Sequence, residues 1–121
     1  MTYDNIINKC DEIIYSIDQY LKNRDNVQNN NELKYFISDY PENVYDLLEI
    51  IIFLKIFDRN YLNNFNEKYF DEIQDLDLYQ IGTCVTMIFR TEHFYNGYLY
   101  ECIKNGILVK LIKRFKQVFI I

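Results

Sequence analysis

Arg90, Glu92 and His93 stand within four positions of one another in this 121-residue chain. Histidine is the side chain whose proton leaves near neutral pH. An arginine and a carboxylate beside it could orient a substrate or assist a proton transfer. A triad of that kind also needs a nucleophile within reach, and Cys84 or Cys102 could serve only if the fold carried them there. The plainer reading is a helix end, where basic groups meet the negative pole of the helix dipole. No nucleophile motif surrounds these residues, so no catalytic residue is assigned.

A second cluster is acidic: Glu67, Asp71, Glu72, Asp75 and Asp77. Grouped carboxylates can hold Mg²⁺ or Ca²⁺. A calcium loop starting at Asp71 would need Gly sixth and Glu twelfth, but the chain has Leu76 and Gly82 there, and that reading fails. A solvated loop with acids at a helix start accounts for the cluster. The three cysteines, Cys10, Cys84 and Cys102, are far apart and odd in number, which argues against a disulfide framework or a zinc knuckle. No metal and no cofactor is expected.

The third cluster is basic. Lys104, Lys110, Lys113, Arg114 and Lys116 lie in the last 20 residues without an acid, while all 18 acidic residues precede them. A helix with such a face could lie on a membrane or touch a phosphate backbone. The net charge of −5 opposes general affinity for nucleic acid, so only this C-terminal helix offers such a contact. It could equally be a solvated face, or neutralise the acidic body across the fold or in a homo-oligomer.

Aromatic residues are abundant, with 12 Tyr and 9 Phe but no Trp. Tyrosine serves both core edges and interfaces. Tyr95, Tyr98 and Tyr100 flank Gly97, and a partner surface is expected there first.

These side chains must be positioned by helices. One Pro and three Gly are too few for the turns of an all-β fold. Ile6, Cys10, Ile13 and Ile17 recur at helical spacing, which predicts a first helix from Thr2 to about Lys22 capped by Thr2 or Asp4. Asn23 to Glu32 is polar and Asn-rich and reads as a loop. Leu33 to Ile37 is a short apolar patch. Tyr40-Pro41 marks a boundary. Pro41 to about Phe57 is then a helix apolar nearly all round, which suggests the central one. Asp58 to Phe70 holds a short helix. Asp75 and Asp77 open the next, to about Thr91, with Gly82 in its middle for close packing. His93 to Gly97 forms a turn, Asn96 caps a helix from Gly97 to Lys104, Asn105-Gly106 stops it, and Ile107 to about Val118 is the last helix. The expected fold is all-α, a compact array of five to six helices in one domain over residues 1–121.

The stretch Ile81-Gly-Thr-Cys-Val-Thr-Met-Ile-Phe-Arg-Thr-Glu-His-Phe-Tyr-Asn-Gly97, followed by Ile103-Lys-Asn-Gly-Ile-Leu and Leu111-Ile-Lys-Arg-Phe115, resembles the C-terminal signature of a bacterial and phage family known only as a domain of unknown function. Arg90, Phe94 and Gly97 fill its first part and Lys104-Asn105-Gly106 its second. His93 stands where the family often carries Arg. Tyr35 to Pro41 resembles the aromatic segment before its central helix. The resemblance covers about residues 34–116 and implies no assigned chemistry.

The longest apolar run, Ile50 to Leu54, is too short to span a bilayer. The start of the chain does not resemble a signal peptide, and a cytoplasmic setting in a low-GC bacterium or phage is expected. The first functional expectation is a non-enzymatic interaction domain with a protein partner. Its candidate binding residues are Arg90, His93, Phe94, Tyr95, Tyr98, Lys110, Lys113 and Arg114. The second is a phage or mobile-element inhibitor of a host defence nuclease, since an acidic surface can occupy a nucleic-acid channel. The third is an enzyme using His93 with Arg90.

Overall fold

A computed structural model describes residues 1–28 and 40–120. Leu33 to Ile37, and the part of the expected loop after Gln28, lie outside the described residues. Six α-helices are present among the described residues: α1 (Tyr3–Gln28), α2 (Asp46–Phe53), α3 (Tyr61–Asn64), α4 (Leu78–Phe94), α5 (Tyr98–Lys104) and α6 (Ile107–Ile120). Short 3-10 turns at Glu42–Tyr45, Glu67–Asp71 and Ile73–Asp75 complete the order. No strand occurs among the described residues, and the fold is all-α. None of the described helices is long and apolar enough to cross a membrane.

The first helix begins as its sequence implies. Thr2 Oγ1 accepts the Asn5 amide at 3.3 Å, and Ile6, Cys10, Ile13 and Ile17 are buried. It runs on through Gln28, past the expected end at Lys22. A polar composition alone does not end a helix, and residues 23–28 contain no Gly or Pro to stop one. Helix α6 buries Leu108, Leu111, Ile112 and Phe115 and lies against α1. Lys116 on α6 pairs with Asp11 on α1.

The central helix is α4, not the Pro41–Phe57 segment. Every side chain from Ile81 to Phe89 is buried, and α4 meets α2, α3, α5 and α6. In the Pro41–Phe57 segment a 3-10 turn precedes a two-turn helix, and Ile52 and Phe53 are 53% and 50% exposed. Helix α4 is less apolar, but its polar groups are satisfied internally. Thr86 Oγ1 donates to the Gly82 carbonyl at 2.7 Å and accepts the Asp58 amide at 3.0 Å. A buried hydroxyl with partners on both sides carries little desolvation penalty. The start of α4 is set by a capping box: Asp77 accepts the Gln80 amide, and Gln80 accepts the Asp77 amide.

Helix α2 ends at an uncommon cap. Lys55 has φ +62°, the left-handed region usually given to Gly. Its amide donates to Ile52 O and the Ile56 amide to Ile51 O, both at 3.0 Å, which is the Schellman pattern. Helix α2 therefore stops before Phe57, with Lys55 where Gly is the common residue. Lys55→Gly is expected to stabilise the protein by about 1 kcal/mol, read as a raised midpoint in chemical denaturation. An unchanged midpoint would mean that the left-handed backbone costs this Lys nothing.

Candidate functional site

The junction of α4 and α5 is organised by one carboxylate. Glu92 Oε1 accepts the amide of Gly97 at 3.0 Å and that of Leu99 at 2.8 Å. The Tyr40 hydroxyl donates to Glu92 Oε2 at 3.2 Å and accepts the Tyr100 amide, also at 3.2 Å. The first turn of a helix has amides without intrahelical partners. Here Glu92 and Tyr40 supply them in place of a local cap. The expected cap, Asn96, does not fill this role: the N-cap is Gly97, with φ +105° and no side-chain cap. That φ allows the chain to reverse between α4 and α5. The Tyr40 hydroxyl is held far above its usual range by burial first and by the Glu92 charge second. Glu92 is thus a structural acceptor here rather than a partner for His93.

The turn begins later than expected, because His93 and Phe94 still belong to α4. Phe94 is 69% and Tyr95 73% exposed. His93 is exposed, with its ring edge-on to Phe94 at 5.1 Å. Arg90 is exposed and lines a cleft of about 340 Å³ with Phe57, Asp58, Arg59 and Tyr61. Asp58 in that cleft is itself engaged. Burial works against its charge, but hydrogen bonds from Thr83, Asn64 and the Asn60 amide outweigh it and hold the carboxyl below its ordinary range.

Tyr98 points to a different cleft, of about 530 Å³. Met87 and Thr91 of α4 and Tyr98 of α5 line it together with Phe65, Phe70, Glu67 and Asp71. Burial raises the Tyr98 hydroxyl, and its neighbours Cys102 and Cys84 and the Glu67 carboxylate add to the rise. Phe65 and Phe70 meet edge-to-face at 5.1 Å. The sequence does not connect these residues, because they come from separate segments.

The basic residues of α6 divide. Arg114 Nε donates to the Leu76 carbonyl at 2.9 Å and its Nη1 to Gln117 at 3.2 Å, so this guanidinium fastens the approach to α4 onto α6. Lys104 sits 6.0 Å from the Tyr100 ring centre. Lys110 and Lys113 are exposed beside a small cleft of about 180 Å³ with Ile73, Gln74 and Gln117. This cleft shares no lining residue with the clefts of Arg90 and Tyr98. Arg90, His93, Phe94 and Tyr95 thus cluster at the α4–α5 junction, Tyr98 lies on its flank, and Lys110, Lys113 and Arg114 form a separate group.

The nucleophile of a triad does not come from the cysteines. Cys84 lies nine residues before His93 on the same helix, about 13 Å along its axis. All three cysteines are buried and free. Burial pushes the thiol of Cys84 up to about 12 and those of Cys10 and Cys102 up to about 11. A thiolate is the reactive form, so at pH 8 a disulfide reagent such as DTNB is expected to modify none of the three in the folded protein and all three in guanidinium. Rapid native reaction of even one would show that its helix opens. Among the described residues, no three His, Cys, Asp or Glu side chains converge on a metal position. In the acidic cluster, Asp77 is a helix cap, and Asp71, Glu72 and Asp75 are exposed.

The fold is an all-α domain in which half-buried Glu92 is hydrogen-bonded across the α4–α5 turn, beside exposed Phe94 and Tyr95. Residues 39–120 match the model of DUF6508, a family of unknown function, and the chain belongs to that family. No curated protein and no solved structure matches it.

Proposed function

We propose that this chain is a protein-interaction domain that works through the α4–α5 tip. The observation that carries the reading is the pairing of an internally fixed turn with outward aromatic side chains. Glu92 and Tyr40 hold the backbone from behind, while Phe94 and Tyr95 are 69% and 73% exposed in front. Exposed aromatics on an ordered backbone suit association, because they bring large contact area with little further loss of freedom. Arg90 and His93 add polar groups beside them, as at the rim of an interface. The role of His93 in this reading is contact, not proton transfer.

A photo-crosslinking amino acid at position 95, in the native host, tests this. The control is the same group at position 15, since Tyr15 on α1 is 66% exposed. Discrete protein adducts are expected at position 95, absent at position 15, and lost in Phe94→Ser without a change in melting temperature. Identical adduct patterns at both positions, or none at 95, would overturn the proposal.

A further inference from the structure

The cleft on the flank of the tip combines aromatic lining residues with exposed acidic ones. Phe65, Phe70 and Tyr98, all half-buried, line it together with buried Met87. Glu67 and Asp71 line the same cleft and are exposed. The ion pairs among the described residues are Lys9–Asp46, Lys22–Asp18 and Lys116–Asp11, and neither Glu67 nor Asp71 takes part. The Glu67 carboxylate adds to the upward shift of the Tyr98 hydroxyl, after burial and the two cysteines.

We propose that this cleft receives an arginine side chain from a basic segment of a partner protein. Aromatic faces attract a cation through the ring quadrupole. The exposed carboxylates add hydrogen-bonded charge pairing. A guanidinium is flat, stacks on rings and offers a donor fork to a carboxylate, whereas a lysine ammonium is a compact, strongly hydrated point charge. The cleft volume of about 530 Å³ lies within the roughly 300–1,000 Å³ of ligand pockets, which leaves room for the peptide on either side of the arginine. The inference rests on the reading of the tip as a contact surface, because Thr91 and Tyr98 belong both to the cleft wall and to the flanks of that turn.

The test is an NMR titration of the intact ¹⁵N-labelled chain. One probe is an end-capped pentapeptide with arginine between glycines; the other is the same peptide with citrulline, a neutral isostere. The arginine peptide is expected to shift the amides of Glu67 to Asp71, Thr91 and Tyr98. The citrulline peptide should bind about tenfold more weakly. Glu67→Gln with Asp71→Asn keeps the shape, and Phe65→Leu keeps an apolar wall without a ring; each should weaken the arginine peptide by about tenfold. Equal binding of both peptides, no shifts at these amides at millimolar peptide, or full binding by the carboxamide variant would each overturn the inference. Failure here with persistent adducts at position 95 removes the cleft and leaves the tip. Arginine-selective binding without those adducts removes the tip.

Discussion

Gly82→Ala is expected to destabilise the protein by about 3 kcal/mol, which at this size lowers the melting temperature by on the order of 10 °C. The usual sign is the opposite, since replacing Gly by Ala inside a helix gains roughly 0.5–1 kcal/mol. Here a Cβ at position 82 would come 2.2 Å from the Ile56 carbonyl oxygen and 2.9 Å from the Ile56 Cβ. The first of these atoms is backbone and cannot turn aside. Its segment is fixed on both sides, by the Ile56 amide on Ile51 O and by the Asp58 amide on Thr86 Oγ1. Moving it would also stretch the 2.6 Å bond from Thr83 Oγ1 to Asp58. The close approach joins the chain after α2 to the middle of α4, the helix against which α3, α5 and α6 pack. Differential scanning calorimetry checks the value, and a variant as stable as the parent would mean that this contact is looser than described.

Glu92→Ala is expected to cost a similar amount, about 3 kcal/mol, because it strands three donors at once. The Gly97 and Leu99 amides and the Tyr40 hydroxyl all lose their acceptor, and an unmade bond at a buried donor costs roughly 1–3 kcal/mol. Part of this returns where water reaches the half-buried site. Glu92→Gln keeps one oxygen and should lose less than half as much. Tyr40→Phe should fall between them, since the ring stays while the Tyr100 amide is left without the hydroxyl. Urea denaturation of the three variants gives the order. If Glu92→Ala matched the parent in stability, the turn would be held by something other than this carboxylate.

The helical stripes were legible because their periodicity is local. Ile6, Cys10, Ile13 and Ile17 on α1, and Leu108, Leu111, Ile112 and Phe115 on α6, are buried as their spacing implies. The close packing expected of Gly82 is present, though against the chain after α2 and not a second helix. The choice of central helix was not legible. Apolar density pointed to Pro41–Phe57, whereas α4 buries Thr83 and Thr86 by hydrogen bonds that no local pattern announces. The end of α2 was hidden for a related reason: Lys55 occupies the left-handed cap position without the Gly that would mark it. At the site, the grouping of Arg90, Glu92 and His93 was visible in the sequence, but the partners of Glu92 were not. Glu92 answers to amides five and seven residues ahead and to Tyr40, which lies 52 positions earlier in the chain. The cleft of Phe65, Glu67 and Tyr98 depends on how three segments meet, and only the fold provides that.

Amide hydrogen exchange at Gly97, Leu99 and Tyr100 tests most directly whether Glu92 and Tyr40 build the tip. In the parent protein these three amides should exchange slowly, and in Glu92→Ala they should exchange at least about tenfold faster, while the buried stretch Ile81–Phe89 keeps its protection. Fast exchange of all three in the parent, or unchanged exchange in Glu92→Ala, would contradict the account.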